Sequence, residues 1–117
     1  MKVRNHEAIT QTPVEMEGAV GAKVRWLIGE DDGAPNFAMR MFELEPGGET
    51  PKHNHPYEHE VYVLEGNGRV YEGETEHSIA AGDCIYVVSD EVHQFRNTGD
   101  APMKFLCMVP IMNKCTD

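Results

Sequence analysis

Four of the six histidines in this 117-residue chain fall in two short segments. His53, His55 and His59 lie in PKHNHPYEHEVYVLEG, and His93 lies in SDEVHQFRN. Side chains at i and i+2 of an extended segment share a face and stand about 7 Å apart along it. His53 and His55 can therefore reach one ion together. His59 comes after Pro56 and opens the next extended run, and His93 opens another. Neutral imidazole is the commonest protein ligand for first-row divalent metals. A lone HxH reads as exposed histidines beside a loop; HxHxxxH with a fourth histidine at another strand start reads as a site for one metal ion. His53, His55, His59 and His93 are its candidate ligands. His6 and His77 sit in polar surroundings and belong on the surface. There is no specific Ser-His-Asp or Cys-His arrangement and no phosphate loop of the form GxxxxGK, so no catalytic acid, base or nucleophile is assigned.

The elements that must position these residues read as strands from end to end. The 11 glycines and seven prolines fall between short apolar runs, the punctuation of a turn-rich β chain. Strands are expected over 23–29, 37–45, 59–65, 69–72, 76–80, 83–88, 93–97 and 103–109. Between them lie GEDDGAPN, EPGGETP, EGNG, AAGD and NTGDAP, all turn chemistry. No window carries a sustained i, i+3, i+4, i+7 apolar pattern, so little or no helix is expected. That many short strands bury one face each only in an antiparallel sandwich, jelly roll or barrel. Residues 1–22 are expected to supply an edge strand or arm to the domain over 23–117. An edge strand invites a second copy, so a homodimer is expected.

Composition narrows the function. Ten Lys and Arg against 20 Asp and Glu give a formal charge of −10, which repels the phosphate backbone, so no nucleic-acid partner is expected. No run approaches the roughly 20 apolar residues of a membrane span. The N-terminal MKVRNHEAITQTP has no apolar signal segment, so a cytoplasmic location is expected. Cys84, Cys107 and Cys115 show no CxxC spacing and read as reduced thiols; the first two, in apolar runs, are expected in the core.

Residues 47–66 (GGETPKHNHPYEHEVYVLEG) resemble the first motif of the cupin superfamily, G-x5-H-x-H-x3,4-E-x6-G. Residues 82–97 (GDCIYVVSDEVHQFRN) resemble the second, G-x5-P-x-G-x2-H-x3-N. Gly47, His53, His55 and Gly66 match the first; Gly82, His93 and Asn97 match the second. Val88 stands at the motif's proline and Asp90 at its second glycine, departures expected to alter a turn at little cost. The resemblance implies an antiparallel double-stranded β-helix, the cupin jelly roll. It also implies a carboxylate ligand at position 59 or 60. Spacing to Gly66 selects 59, and alternation places His59 opposite in direction to Glu60. His59 therefore replaces the usual glutamate, and Glu60 should point away. Such a shell is similar to that of small bacterial cupins with four histidines, some manganese-bound and described as oxalate-decarboxylase-like.

Four neutral imidazoles leave a divalent ion at +2, which attracts an anionic ligand and acidifies bound water. Ligand softness favours Zn, Ni, Cu or Fe, and the resemblance favours Mn. Two functions are expected to compete. One is a metal-dependent decarboxylase- or dioxygenase-like enzyme acting on a small carboxylate-bearing molecule. The other is a non-catalytic module that binds or senses a small anion at the metal. Arg40, sharing parity with Ala38 and Phe42, is either a clamp for a substrate carboxylate or a surface charge. Phe95 shares the parity of His93 and should line the cavity. Met39, Met41, Met103 and Met108 are expected to fill the core, and Glu72, Glu74 and Glu76 to form a solvated face.

Overall fold

The computed structural model describes residues 1–111, so Cys115 lies outside the described residues. Nine strands follow in chain order: β1 (Thr12–Pro13), β2 (Val20–Ile28), β3 (Phe37–Glu49), β4 (His59–Glu65), β5 (Asn67–Glu72), β6 (Thr75–Ala80), β7 (Cys84–Val87), β8 (His93–Arg96) and β9 (Met103–Pro110). Two single 3₁₀ turns, His6–Ala8 and Glu30–Asp32, are the only helical pieces among the described residues. The sheet order is β6-β5-β8-β3-β9-β4-β7, with β2 also on β3 and β1 on β2. Every ladder is antiparallel. This is the all-β jelly roll that the turn punctuation and the resemblance lead one to expect.

Alternation builds the interior. In β9, Met103, Phe105, Cys107 and Val109 are buried while the residues between them are half-buried. In β4, His59, Val61 and Val63 point inward and Glu60, Tyr62 and Leu64 are exposed. Leu44, Val63, Met103 and Phe105 are among the most deeply buried side chains, each stabilising the fold by about 1.5–3 kcal/mol through the area it removes from water. Phe105 stacks between Phe42 and Phe95, with ring centroids 5.3 and 4.9 Å away.

The motif residues outside the histidine cluster are architectural. Gly66 adopts φ +82° between β4 and β5, and a Cβ there would stand 2.7 Å from the Pro102 carbonyl oxygen. Only glycine meets both demands. Asn97 is almost fully buried. Its Nδ2 donates to the carbonyls of Leu44 (2.9 Å) and Ala101 (2.8 Å), and its Oδ1 accepts from the Gly99 amide (2.9 Å).

Several expectations are corrected. Cys84 is exposed, because alternation along β7 turns it outward with Tyr86 while Ile85 and Val87 face in; an apolar run does not bury both of its faces. The EPGG segment, read as a loop after residue 45, is carried inside β3. Between the pairs Val20–Glu49 and Ala22–Leu44 it forms a bulge opposite Gly21, and the glycines let the backbones close up. Met41 and Met103 are buried as expected, but Met39 and Met108 are only partly so. Asp90 has φ +69°, a left-handed backbone unique to it among described non-glycine residues. The turn keeps the geometry of the glycine that the motif places there. Aspartate tolerates it better than most residues.

Candidate metal centre

Two backbone connections bring the histidines together. His53 and His93 form an isolated antiparallel bridge, the amide of each donating to the carbonyl of the other at 3.2 and 3.0 Å. His55 accepts from the Asp90 amide at 2.8 Å. Thr50, which the sequence reading passed over, ties the preceding segment to β8. Its amide donates to the Phe95 carbonyl at 2.9 Å, and its Oγ1 accepts from the Phe95 amide at 2.9 Å.

Three of the four candidate rings, those of His53, His55 and His93, form one group, and His59 lies beside two of them. Centroids of His53, His55 and His93 lie 5.0–5.1 Å from one another, and each presents a nitrogen within 4.8 Å of those of the other two. The His59 ring is 4.3 Å from His55 and 5.2 Å from His93, and its Nε2 faces His55 Nε2 at 2.6 Å. Glu60, next in the chain, is exposed on the other side of β4.

The hydrogen bonds fix the protons. Nδ1 of His93 meets the Glu91 carbonyl at 2.8 Å and Nδ1 of His55 meets the Tyr57 carbonyl at 3.2 Å. A carbonyl only accepts, so both nitrogens carry hydrogen, and each ring in its uncharged form presents a bare Nε2. His59 Nε2 must then donate to His55 Nε2. His59 Nδ1, 2.9 Å from Cys107 Sγ, must accept from the thiol. His53 Nδ1 is buried without a hydrogen-bond partner among the described residues. Bare imidazole nitrogens, two of them braced through the opposite ring atom, form a donor set suited to a divalent transition metal.

Burial disfavours the charged form of three of the rings. It lowers His53 and His55 below the ordinary histidine range and, helped by the neighbouring His55 and Arg40 charges, lowers His59 to about 3. Burial also pushes the Cys107 thiol up, against the opposing pull of Arg40.

The rings open into a cavity of about 360 Å³, whose walls include Arg40, Phe42, Tyr57, Phe95, Phe105 and Cys107. Arg40 and Phe95 thus line the same cavity as the histidines. Tyr57 stacks on His55 at 4.0 Å. It shares the odd parity of positions 53, 55 and 59, a signal that was present in the sequence. Cys107 gave no such signal; it reaches His59 only through the β9–β4 register, which pairs Cys107 with Val61.

A cupin domain model matches residues 40–109, and the chain belongs to the cupin family. The oxalate-binding protein of Thermotoga maritima is 29% identical over 96% of this chain and 95% of its own length. The methylsulfurylase of Rhodospirillum rubrum that acts on 1-methylthio-D-xylulose 5-phosphate is 35% identical over 61% of this chain. That match spans only 46% of the relative, and the chain likewise covers about half or less of several other curated relatives. Among solved structures, the polyketide cyclase RemF of Streptomyces resistomycificus superposes with a TM-score of 0.91 at 31% identity, over 97% of this chain and 82% of that one. A sugar phosphate isomerase of Silicibacter pomeroyi superposes with a TM-score of 0.83 at 26% identity, over 95% and 76%. No helix among the described residues is long and apolar enough to cross a membrane.

Proposed function

We propose that His53, His55, His59 and His93 hold one divalent metal ion and that the protein is a metal-dependent enzyme acting on a small carboxylate-bearing molecule, decarboxylase- or dioxygenase-like. The observation that carries this reading is the grouping of His53, His55 and His93, with His59 beside two of them and Nδ1 of His55 and His93 anchored on backbone carbonyls. Bound there, the metal would supply Lewis acidity and a template for chelation. For His59 to present Nε2 to the ion, its proton must sit on Nδ1. Cys107 Sγ would then accept that proton's hydrogen bond, beside the one it takes from Arg40 Nη2 at 3.1 Å. The resemblance favours Mn, and the all-nitrogen shell favours Fe, Zn, Ni or Cu. Elemental analysis of protein purified without added metal tests the site, with about one ion per chain expected. A screen of carboxylic acids under air and under argon tests the reaction. Dioxygen consumption selects the dioxygenase-like form, and carbon dioxide release without it selects decarboxylation.

A second reading is a non-catalytic module that binds or senses a small anion at the same metal. It is supported by the lack of any Asp or Glu among the residues lining the cavity, which leaves no carboxylate to move protons, and by the name of the Thermotoga relative. Ligand binding without turnover in the same screen selects it. We further propose a homodimer in the cytoplasm. β1 covers β2 at only two pairs, and Trp26, Ile28 and Phe37 are exposed. Sedimentation should show twice the chain mass, and a monomer at micromolar concentration would overturn the assembly.

A further inference from the structure

We infer that Arg40 is the second pole of a two-point cationic site, and that the ligand is an organic anion with a flat apolar body rather than a small hydrophilic dianion. The inference rests on the metal reading above and adds the substrate class.

Three observations converge. First, the charge of the cavity opposes that of the molecule. The chain carries a formal −10, yet none of the cavity's lining residues is acidic, and one is an arginine. With a divalent ion on four neutral imidazoles, the cavity would hold three positive charges and no negative one. Second, Arg40 lacks a counter-ion. Among the described residues no carboxylate pairs with it. Nη2 donates to the Cys107 thiol, and Nε is buried without a partner. The guanidinium carbon lies 5.3 Å from the Trp26 ring centroid and 4.9 Å from that of Phe42. Aromatic faces hold the cation in place but do not neutralise it. A half-buried guanidinium with free donors presents a fork suited to a carboxylate. Third, the walls between the two poles are apolar. Phe42, Phe95 and Phe105 form a continuous stack, with Val14 and Met16 also lining the cavity. At about 360 Å³ the space suits a molecule of several carbons beyond its anionic groups, within the range of ordinary small-molecule sites. A two-carbon dianion would leave that apolar surface wet.

The test compares two chelating probes on Mn(II)-loaded protein, with metal content checked in every sample. Salicylate offers two chelating oxygens on a flat ring, and oxalate offers two chelating carboxylates and no body. Calorimetry should give salicylate a Kd at least 10-fold below that of oxalate. Arg40→Gln should weaken salicylate about 10-fold or more at unchanged Mn content, and Arg40→Lys should recover part of that loss. Met16→Glu changes an exposed residue on the cavity wall and threatens the fold little. It should weaken salicylate several-fold by placing a negative charge beside the site. Oxalate binding as tightly as salicylate, or Arg40→Gln and Met16→Glu both binding salicylate like wild type, would overturn the inference while leaving the metal site standing. Failure of wild type to take up metal would instead overturn the reading on which it rests.

Discussion

Two cavities of similar size meet at His93, and their chemistry is opposite. The cavity of about 360 Å³ holding the histidine cluster is lined by aromatic rings, Arg40 and no carboxylate. The neighbouring one, about 420 Å³, is lined by Glu72, Asp83, Glu91 and His77. In the acidic cavity the polar groups satisfy one another: His77 Nε2 lies 3.1 Å from Glu72 Oε1, and Glu72 and Glu91 interact, lowering Glu72 and raising Glu91. In the histidine cavity, buried nitrogens of His53 and Arg40 have no partner among the described residues. Size does not separate the two; unmet hydrogen-bonding capacity does. A site built for a ligand leaves its polar groups waiting for it, whereas a solvated groove closes its own accounts.

This contrast can be broken at several points. The largest effect is expected at β4. His59→Ala should remove a ligand and lower metal occupancy sharply in elemental analysis, while Glu60→Gln, on the exposed face, should leave it intact. The reverse pattern would show the register to be off by one residue.

Cys107→Ala should act next most strongly. It leaves His59 Nδ1 and Arg40 Nη2 without the sulfur that now meets them. The expected costs are about 1–3 kcal/mol of stability in denaturant unfolding and roughly 10-fold or more in metal affinity, the usual penalty for losing a group that braces a ligand.

The pH dependence of metal-free protein gives a third test. Burial holds the His59 ring neutral in the fold down to about 3, against about 6.5 for an ordinary histidine. Between these values the unfolded chain binds more protons than the folded one, so stability must fall as the pH is lowered from 6.5 toward 3. The slope from this residue is at most about 1.4 kcal/mol per pH unit. His59→Gln should flatten the profile obtained by denaturant unfolding.

A smaller change is expected at Asp90, whose left-handed backbone favours glycine. Asp90→Gly should stabilise the protein by about 1 kcal/mol or less, since relief of strain is partly offset by greater freedom of the unfolded chain. The smallest effect belongs to the acidic cavity. Glu72→Gln should leave metal content unchanged and shift stability by no more than about 0.5 kcal/mol, because its pairing with His77 is solvent-exposed.

The same division governs what the sequence reveals. Inward and outward positions in β4 and β9 follow from alternation over a single strand, which is why His59 and Glu60 are separable without a structure. The clustering of His53, His55 and His93 is legible because the motif fixes their spacing. Cys107 and Arg40 are harder. They are directly paired across β3 and β9, 67 residues apart in the chain, and that pairing depends on strand order rather than on any local pattern. Cys84 fails for a different reason: in the run CIYV nearly every residue is apolar, so composition does not mark which parity faces inward, and Cys84 falls on the outward one. The bulge in β3 fails because glycine and proline punctuate bulges and loops alike.

The reciprocal backbone bridge between His53 and His93 ties two segments of candidate ligands together through main-chain groups rather than through the rings. The backbone thus sets their spacing, and the segments would not need to refold to load or release an ion at the proposed site. The two bridging amides are also natural reporters: in heavy water, their deuterium uptake would time the parting of the segments directly, with or without an ion present.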